Sequence, residues 1–254
     1  MKMPMAELHV VSTAEEASQA TARFVAGLAE RSSAARGRFT IALSGGSTPR
    51  RLYQILASPP YAGGTAWDRW HVFWGDERCV PPDHADSNYR MAREALIDHV
   101  PIPDDQIHRM RGEAVPREAA EEYEAAVRDV FQAPLPSFDL ILLGIGDDGH
   151  TASLFPGTGA LQAKDRLVVD NWVPGLQAHR ITFTLPLLNA AQAIVFLDSD
   201  ESKAEVLRAV LEPAPGASLP PAALVQPTHG AIHWFLTGEA AKLLKNTGGK
   251  TASA

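Results

Sequence analysis

Residues 138–157, FDLILLGIGDDGHTASLFPG, constrain the fold more than any other stretch. Phe138, Leu140, Ile141, Leu142, Leu143 and Ile145 form a nearly continuous apolar run. Such a run suits a parallel strand covered on both faces. The strand then breaks into Gly144, Gly146 and Gly149, with Asp147, Asp148 and His150 packed between and after them. Two carboxylates and an imidazole in four positions, at the carboxyl end of a central strand, lie where an open α/β sheet places its chemistry. His150 is therefore the expected reacting group, with the other motifs assembling a pocket around it.

The rest of the chain supplies strands and helices in alternation. Residues 8–12 read as a short strand, and Thr13 and Glu16 form a T-x-x-E capping box opening a helix with Ala17, Ala20, Phe24 and Leu28 on one face. The basic, small-residue segment 31–38 reads as a loop. Strand 39–43 runs into Ser44-Gly45-Gly46-Ser47-Thr48-Pro49, with Thr48 as N-cap and Pro49 in the first turn of a helix. Strand 70–74 ends in Gly75-Asp76-Glu77-Arg78, Ser87 caps a helix carrying Met91, Ala95 and Leu96, and Pro116 starts another with Tyr123 and Val127 inward. Strands are expected near 166–170, 180–185, 193–198 and 232–237, with helices at 200–211 and 238–244. The segment 212–223 reads as a loop, and residues 246–254 as a disordered tail. This alternation implies one α/β domain over residues 1–245, built on a mostly parallel sheet flanked by helices.

At 254 residues the chain can bury a sizeable core. A formal charge of −7 gives no nucleic-acid surface, so an anionic ligand would need a local basic cluster. No run of about 18 apolar residues occurs, and the N-terminus has no signal-peptide core, so neither a membrane partner nor export is expected. Cys79 is the one cysteine, which rules out internal disulfides and a multi-cysteine metal site; the expected setting is the cytoplasm.

Four constellations carry chemistry. Residues 44–49 are either a plain strand–helix turn or an anion cradle; two glycines and three hydroxyls favour the cradle. Asp76-Glu77-Arg78 is either a solvated turn or a place where Arg78 meets an oxyanion or phosphate. GIGDDG at 144–149 matches the dinucleotide pattern G-x-G-x-x-G, but two aspartates inside the loop would repel a pyrophosphate. Acid–base work suits it better, with His150 as base and a neighbouring aspartate fixing its tautomer. Lys203 either pairs with Asp200 and Glu201 or reaches a ligand phosphate, and Arg180 is a similar candidate. The remaining histidines, His9 and His233 among them, show no metal-ligand spacing, so no metal site is expected. Trp67, Trp70, Trp74 and Trp234 read as core, and Cys79 has no paired base in sequence.

Taken together, LSGGSTP (43–49), WGDER (74–78), SNYRMAREAL (87–96), GIGDDGHTASLFPG (144–157), RITFTLPLLN (180–189) and DSDESKAEVL (198–207) resemble the 6-phosphogluconolactonase family. The resemblance implies a modified Rossmann-like fold shared with glucosamine-6-phosphate deaminases. It also implies hydrolysis of 6-phospho-D-glucono-1,5-lactone in the pentose phosphate pathway without metal or other cofactor. Its implied catalytic set is His150, Asp148, Arg78 and Asp76, with Ser44, Gly45, Gly46, Ser47, Arg180 and Lys203 holding the sugar phosphate. Asp148 is preferred to Asp147 because Asp-Gly-His recurs in the related deaminases. Arg78 would meet the developing oxyanion, Lys203 and Arg180 the 6-phosphate. The rival reading is an amino-sugar-phosphate deaminase or isomerase, in which the Asp-Gly-His turn continues with an acid; here it continues Thr151-Ala152-Ser153. A sugar-phosphate sensor or dinucleotide binder is a third possibility. The expected partner is a small sugar phosphate, with the protein a monomer or weak homo-oligomer.

Overall fold

The apolar run of residues 138–145 becomes the strand Leu140–Leu143, every residue of which is buried. The computed structural model describes residues 6–245; the expected tail at 246–254 lies outside them. The strands are β1 (Ala6–Val11), β2 (Phe39–Leu43), β3 (Trp70–Trp74), β4 (Asp76–Arg78), β5 (Leu140–Leu143), β6 (Val168–Val173), β7 (Ala178–Phe183), β8 (Ala193–Asp198) and β9 (Ala231–Thr237). The helices are α1 (Ala14–Arg36), α2 (Ser47–Leu56), α3 (Tyr61–Gly64), α4 (Asn88–Ala95), α5 (Pro116–Phe131), α6 (Leu185–Leu188), α7 (Ala204–Leu211) and α8 (Gly238–Ala241).

A six-stranded sheet in the order β1-β9-β8-β5-β2-β3 has every neighbouring pair parallel. Parallel pairing demands crossovers, and crossovers put helices on both faces, so the central strands can carry apolar residues throughout. On one face Leu140 and Leu142 join Ile41, Leu43, Val25 of α1 and Leu52 of α2. On the other, Ile141 and Leu143 join Ala42, Val127 of α5 and Leu207 of α7. Trp67, Trp70, Trp74 and Trp234 are all core residues, as expected. The chain winds outward from β2 to β3 and then returns to β5 on the other side of β2. That reversal leaves a crevice between the carboxyl ends of β2 and β5, the place where such folds bind ligands. Among the described residues no helix is long and apolar enough to cross a membrane.

The structure corrects several expectations. Residues 31–36 continue α1 rather than forming a loop, because Ser32 is buried, Arg36 pairs with the buried Asp139, and Gly37 closes the helix at φ 73°. Helix α2 starts at Ser47 with Gly46 (φ 110°), not Thr48, as its N-cap. The expected helix at 200–211 is split, with a 3-10 turn at Glu201–Lys203 capped by Asp200, whose carboxylate accepts from Ser202 N at 2.9 Å, before α7 begins. The final helix is shorter than expected. The larger surprise is a second sheet, antiparallel, in the order β4-β7-β6. The charged triplet 76–78, a solvated turn in one of its two sequence readings, is one of its strands. It joins the main sheet through Gly75, whose N–H donates to Leu43 O at 2.9 Å and whose carbonyl accepts from Phe183 N at 2.8 Å.

One carboxylate is held at a cost. Asp198, at the end of β8, is buried, and burial pushes its carboxyl from 3.8 up to about 6; the hydrogen bond from Asp200 N and the charge of Lys203 recover only part. A folded-state value above the unfolded one means the penalty is full above about pH 6 and absent below about pH 4. Asp198→Asn keeps the acceptor for Asp200 N. It is expected to raise stability by on the order of 1–2 kcal/mol near neutral pH, a gain of several degrees in Tm that vanishes below about pH 4. Thermal unfolding of both proteins across that range checks it.

Candidate active site

Where β5 ends, the chain must turn sharply at the crevice, and three local bonds shape the turn. Gly146 N donates to His150 O at 2.9 Å, Gly149 N donates to Gly146 O at 2.9 Å, and Thr151 Oγ1 donates to Gly144 O at 2.8 Å. Gly149 sits at φ +77°, and a Cβ there would strike Pro220. Gly146 is required for a different reason: a Cβ on it would lie 2.1 Å from His150 Nδ1 and Cε1. The imidazole occupies the space that a side chain at 146 would fill.

That imidazole is fixed on two sides. Its Nδ1 lies 2.6 Å from Asp148 Oδ1, and the same oxygen accepts from His150 N at 3.0 Å. The ring stacks on Phe155 at 4.0 Å between centroids and 22° between planes. An ionised carboxylate only accepts, so the Nδ1 proton is assigned to the imidazole and Nε2 is left with the lone pair. Partial burial would raise the Asp148 carboxyl, but the two hydrogen bonds and the charge of His150 outweigh it and hold the group below its ordinary value. Asp148 therefore stays anionic and holds a basic nitrogen in place.

Facing His150 is a small cleft of about 160 Å³ lined by Ser44, Gly45, Asp76, Arg78, Asn88 and Gly144 among others. The Ser44-Gly45-Gly46 turn brings the N-terminal end of α2, with its unpaired amides and positive dipole end, to this edge. Gly45 lets the turn approach α4, since a Cβ there would be 1.9 Å from Asn88 Oδ1. Asn88 Nδ2 donates to the Asp76 carbonyl at 3.0 Å, and the buried Asp76 carboxylate accepts from Ser153 Oγ at 2.6 Å. Asp76 thus ties the second sheet to α4 and to the turn after His150.

Glu77 does comparable work beneath the site. Its buried carboxylate accepts from Arg78 N, Asn88 N and Tyr89 N at 2.7–2.8 Å and from Ser87 Oγ at 3.1 Å, fastening the start of α4 to β4. Burial raises its pKa, and these amide bonds offset that only in part.

Arg78 and Arg180 are directly paired across β4 and β7. Both line a larger cavity of about 900 Å³ that also reaches Cys79, Gly112, Trp172 and His179, and Arg78 lines the small cleft too. Burial first, and the Arg78 charge second, lower the pKa of Arg180. Like charges opposed across strands are destabilising by themselves. An anion between them would relieve the repulsion and form charge-assisted bonds. Cys79, beside them, is pushed up to about 11 by burial, away from the thiolate that a nucleophile needs.

The sequence expectations therefore divide. His150, Asp148, Asp76, Arg78, Ser44 and Gly45 line one cleft or hold it, and Arg180 joins through Arg78. Gly46 and Ser47 lie just behind it, opening α2. Lys203 differs from expectation: its Nζ pairs with Asp147, whose side chain is largely exposed, and neither cavity is lined by it. Sequence reasoning missed Asn88, Ser153 and Glu77 as site-building residues. Asn88 and Glu77 stood inside quoted motifs, but only the β4–α4 contact reveals what they hold.

The chain is similar to known proteins along most of its length. The family described as glucosamine-6-phosphate isomerases/6-phosphogluconolactonase matches residues 12–234. A 6-phosphogluconolactonase of Synechocystis sp. is 46% identical over 216 residues, 84% of this chain and 87% of that protein. The Homo sapiens 6-phosphogluconolactonase is 42% identical over 241 residues, 93% of each chain. The structure of 6-phosphogluconolactonase from Trypanosoma cruzi superposes with a TM-score of 0.85 at 28% identity, covering 96% of this chain and 98% of the other. A monomeric glucosamine-6-phosphate deaminase, with a TM-score of 0.77 at 22% identity, shares the fold.

Gly146→Ala tests the backbone clearance under His150. The imidazole must leave its place beside Asp148, so its hydrogen-bonded Nδ1–H resonance should vanish from the NMR spectrum. Turnover should fall at least about 100-fold, as expected when a reacting group is displaced by an ångström or more, while the thermal midpoint changes little.

Proposed function

The chain belongs to the glucosamine-6-phosphate isomerase/6-phosphogluconolactonase family, and we propose that its site hydrolyses 6-phospho-D-glucono-1,5-lactone to 6-phospho-D-gluconate. The observation that carries this reading is the Asp148–His150 pair, which leaves the His150 Nε2 lone pair beside a cleft also lined by Arg78, whose strand partner Arg180 lines the adjoining cavity. The deaminase alternative is not favoured, because residues 151–156 after the histidine contain no acid.

A lactone is an activated ester, so one base and one stabiliser of negative charge suffice. His150 Nε2 takes a proton from water as the water oxygen attacks C1. The carbonyl electrons move onto oxygen, giving a tetrahedral oxyanion beside the N-terminal end of α2 at Ser44, Gly45 and Gly46. Collapse re-forms the carbonyl and breaks the bond from C1 to the ring oxygen. The imidazolium returns its proton to that leaving oxygen, and the product acid ionises. Asp148 fixes the tautomer and stabilises the imidazolium. Arg78 and Arg180 grip the 6-phosphate, whose binding holds C1 in register with the base. Asp76 acts by positioning Asn88 and Ser153, and Ser47 by shaping the α2 terminus.

Lactone disappearance, corrected for spontaneous opening, tests these roles. His150→Ala should lose about 100- to 10,000-fold in kcat, and near-wild-type hydrolysis would overturn the base assignment. Arg180→Gln should raise KM for the phosphorylated lactone with little effect on the unphosphorylated one. An equal loss on both substrates would remove Arg180 from the phosphate site.

A further inference from the structure

Three potential metal ligands that the sequence scatters converge on one face of the main sheet, away from the crevice. Glu7 and His9 are two apart on β1, so their side chains share a face. His233 on β9 is the register partner of Glu7. His9 Nε2 lies 3.4 Å from His233 Nδ1, His233 Nδ1 lies 3.4 Å from Glu7 Oε2, and His9 Nε2 lies 3.9 Å from that same oxygen. The His9–His233 contact is a long hydrogen bond and the two contacts to Glu7 are long ion pairs, so the three atoms already lie within the span of one cation's ligands.

The triangle they form has the dimensions of a metal site. A triangle with edges of 3.4, 3.4 and 3.9 Å has its centre about 2.1 Å from each corner. Zinc bonds to imidazole nitrogen at about 2.0–2.1 Å and to carboxylate oxygen at about 2.0–2.2 Å. The ligands are held before any ion arrives. His9 stacks on Phe235 at 4.3 Å and 10°, and Phe24 of α1 packs on His233 at 4.4 Å. His233 is buried while the Glu7 side chain is 49% exposed, which leaves the solvent side open for a fourth ligand such as water. Two imidazoles and one carboxylate favour a borderline dication over magnesium or calcium, which take oxygen.

We infer that Glu7, His9 and His233 form a binding site for a zinc-like divalent cation that clips edge strand β1 to β9. The site is independent of the hydrolytic centre, so ion occupancy should change stability rather than chemistry. It escaped sequence reasoning because His9 and His233 are 224 positions apart and become neighbours only through the β1–β9 ladder.

The test uses the tag-free full chain, stripped of metal and titrated with Zn²⁺ against a chromophoric zinc competitor. One Zn²⁺ per chain is expected, with Tm raised by about 5–10 °C at a hundredfold excess over Kd and no response to Mg²⁺. Binding should weaken at least tenfold in Glu7→Gln and in His9→Gln and be unchanged in His150→Ala, while Glu7→Gln and His9→Gln keep wild-type lactone hydrolysis. No stoichiometric Zn²⁺, binding indifferent to both substitutions, or binding lost in His150→Ala would each overturn the site. Should both variants fail to fold, Co²⁺ in the wild type decides. Intense visible bands of a four- or five-coordinate site support the proposal, and the weak spectrum of hydrated Co²⁺ overturns it.

Discussion

A parallel strand buried on both faces has no side chain left for chemistry, and β5 is such a strand. Everything reactive must then come from the turns at its carboxyl end, where the backbone leaves the ladder. The chain meets this constraint with glycine. Gly146 makes room for an imidazole, and Gly149 adopts a left-handed turn against Pro220. The result is a histidine whose position is set by main-chain geometry and by one carboxylate two residues away. The crevice between β2 and β5 supplies the opposite wall, because the sheet reverses its winding there.

The second sheet is what turns that crevice into a site for an anionic substrate. A strand of three charged residues is a poor β-former in isolation, and β4 exists because its charges have specific partners. Asp76 and Glu77 are buried acceptors that bind Ser153, Asn88, Ser87 and the first amides of α4. Leaving any of these carboxylates unpaired would cost several kcal/mol; satisfied, they align sheet, helix and the turn that follows His150. The strand pairing then sets Arg78 opposite Arg180, an arrangement that makes sense with an anion between them.

The two histidine arrangements in the molecule show how environment separates roles. His150 has a short bond to an anionic carboxylate, one ring nitrogen left over, and a cleft in front of it. Glu7, His9 and His233 instead bring two ring nitrogens and a carboxylate oxygen within 4.8 Å of one another, beside Phe24 and Phe235. The first arrangement suits moving a proton and the second suits holding a cation.

Local signals in the sequence determined a good deal. The nearly continuous apolar run at 138–145 required a two-sided sheet, the Thr13–Glu16 capping box and Ser87 fixed helix starts seen in the structure, and the density of polar groups at 147–150 marked the turn that the proposed mechanism uses. Those features act over a few residues, through periodicity, capping and turn chemistry, so they are legible without a fold. What only the tertiary structure decided involves partners far apart in the chain. The antiparallel sheet, the clamp at Glu77, the pairing of Lys203 with Asp147 and the convergence of Glu7, His9 and His233 all depend on strand order and register. A charged triplet reads as a solvated turn because exposure is the default for charge. Here its two carboxylates are buried in a strand because distant hydroxyl and amide donors were brought to meet them.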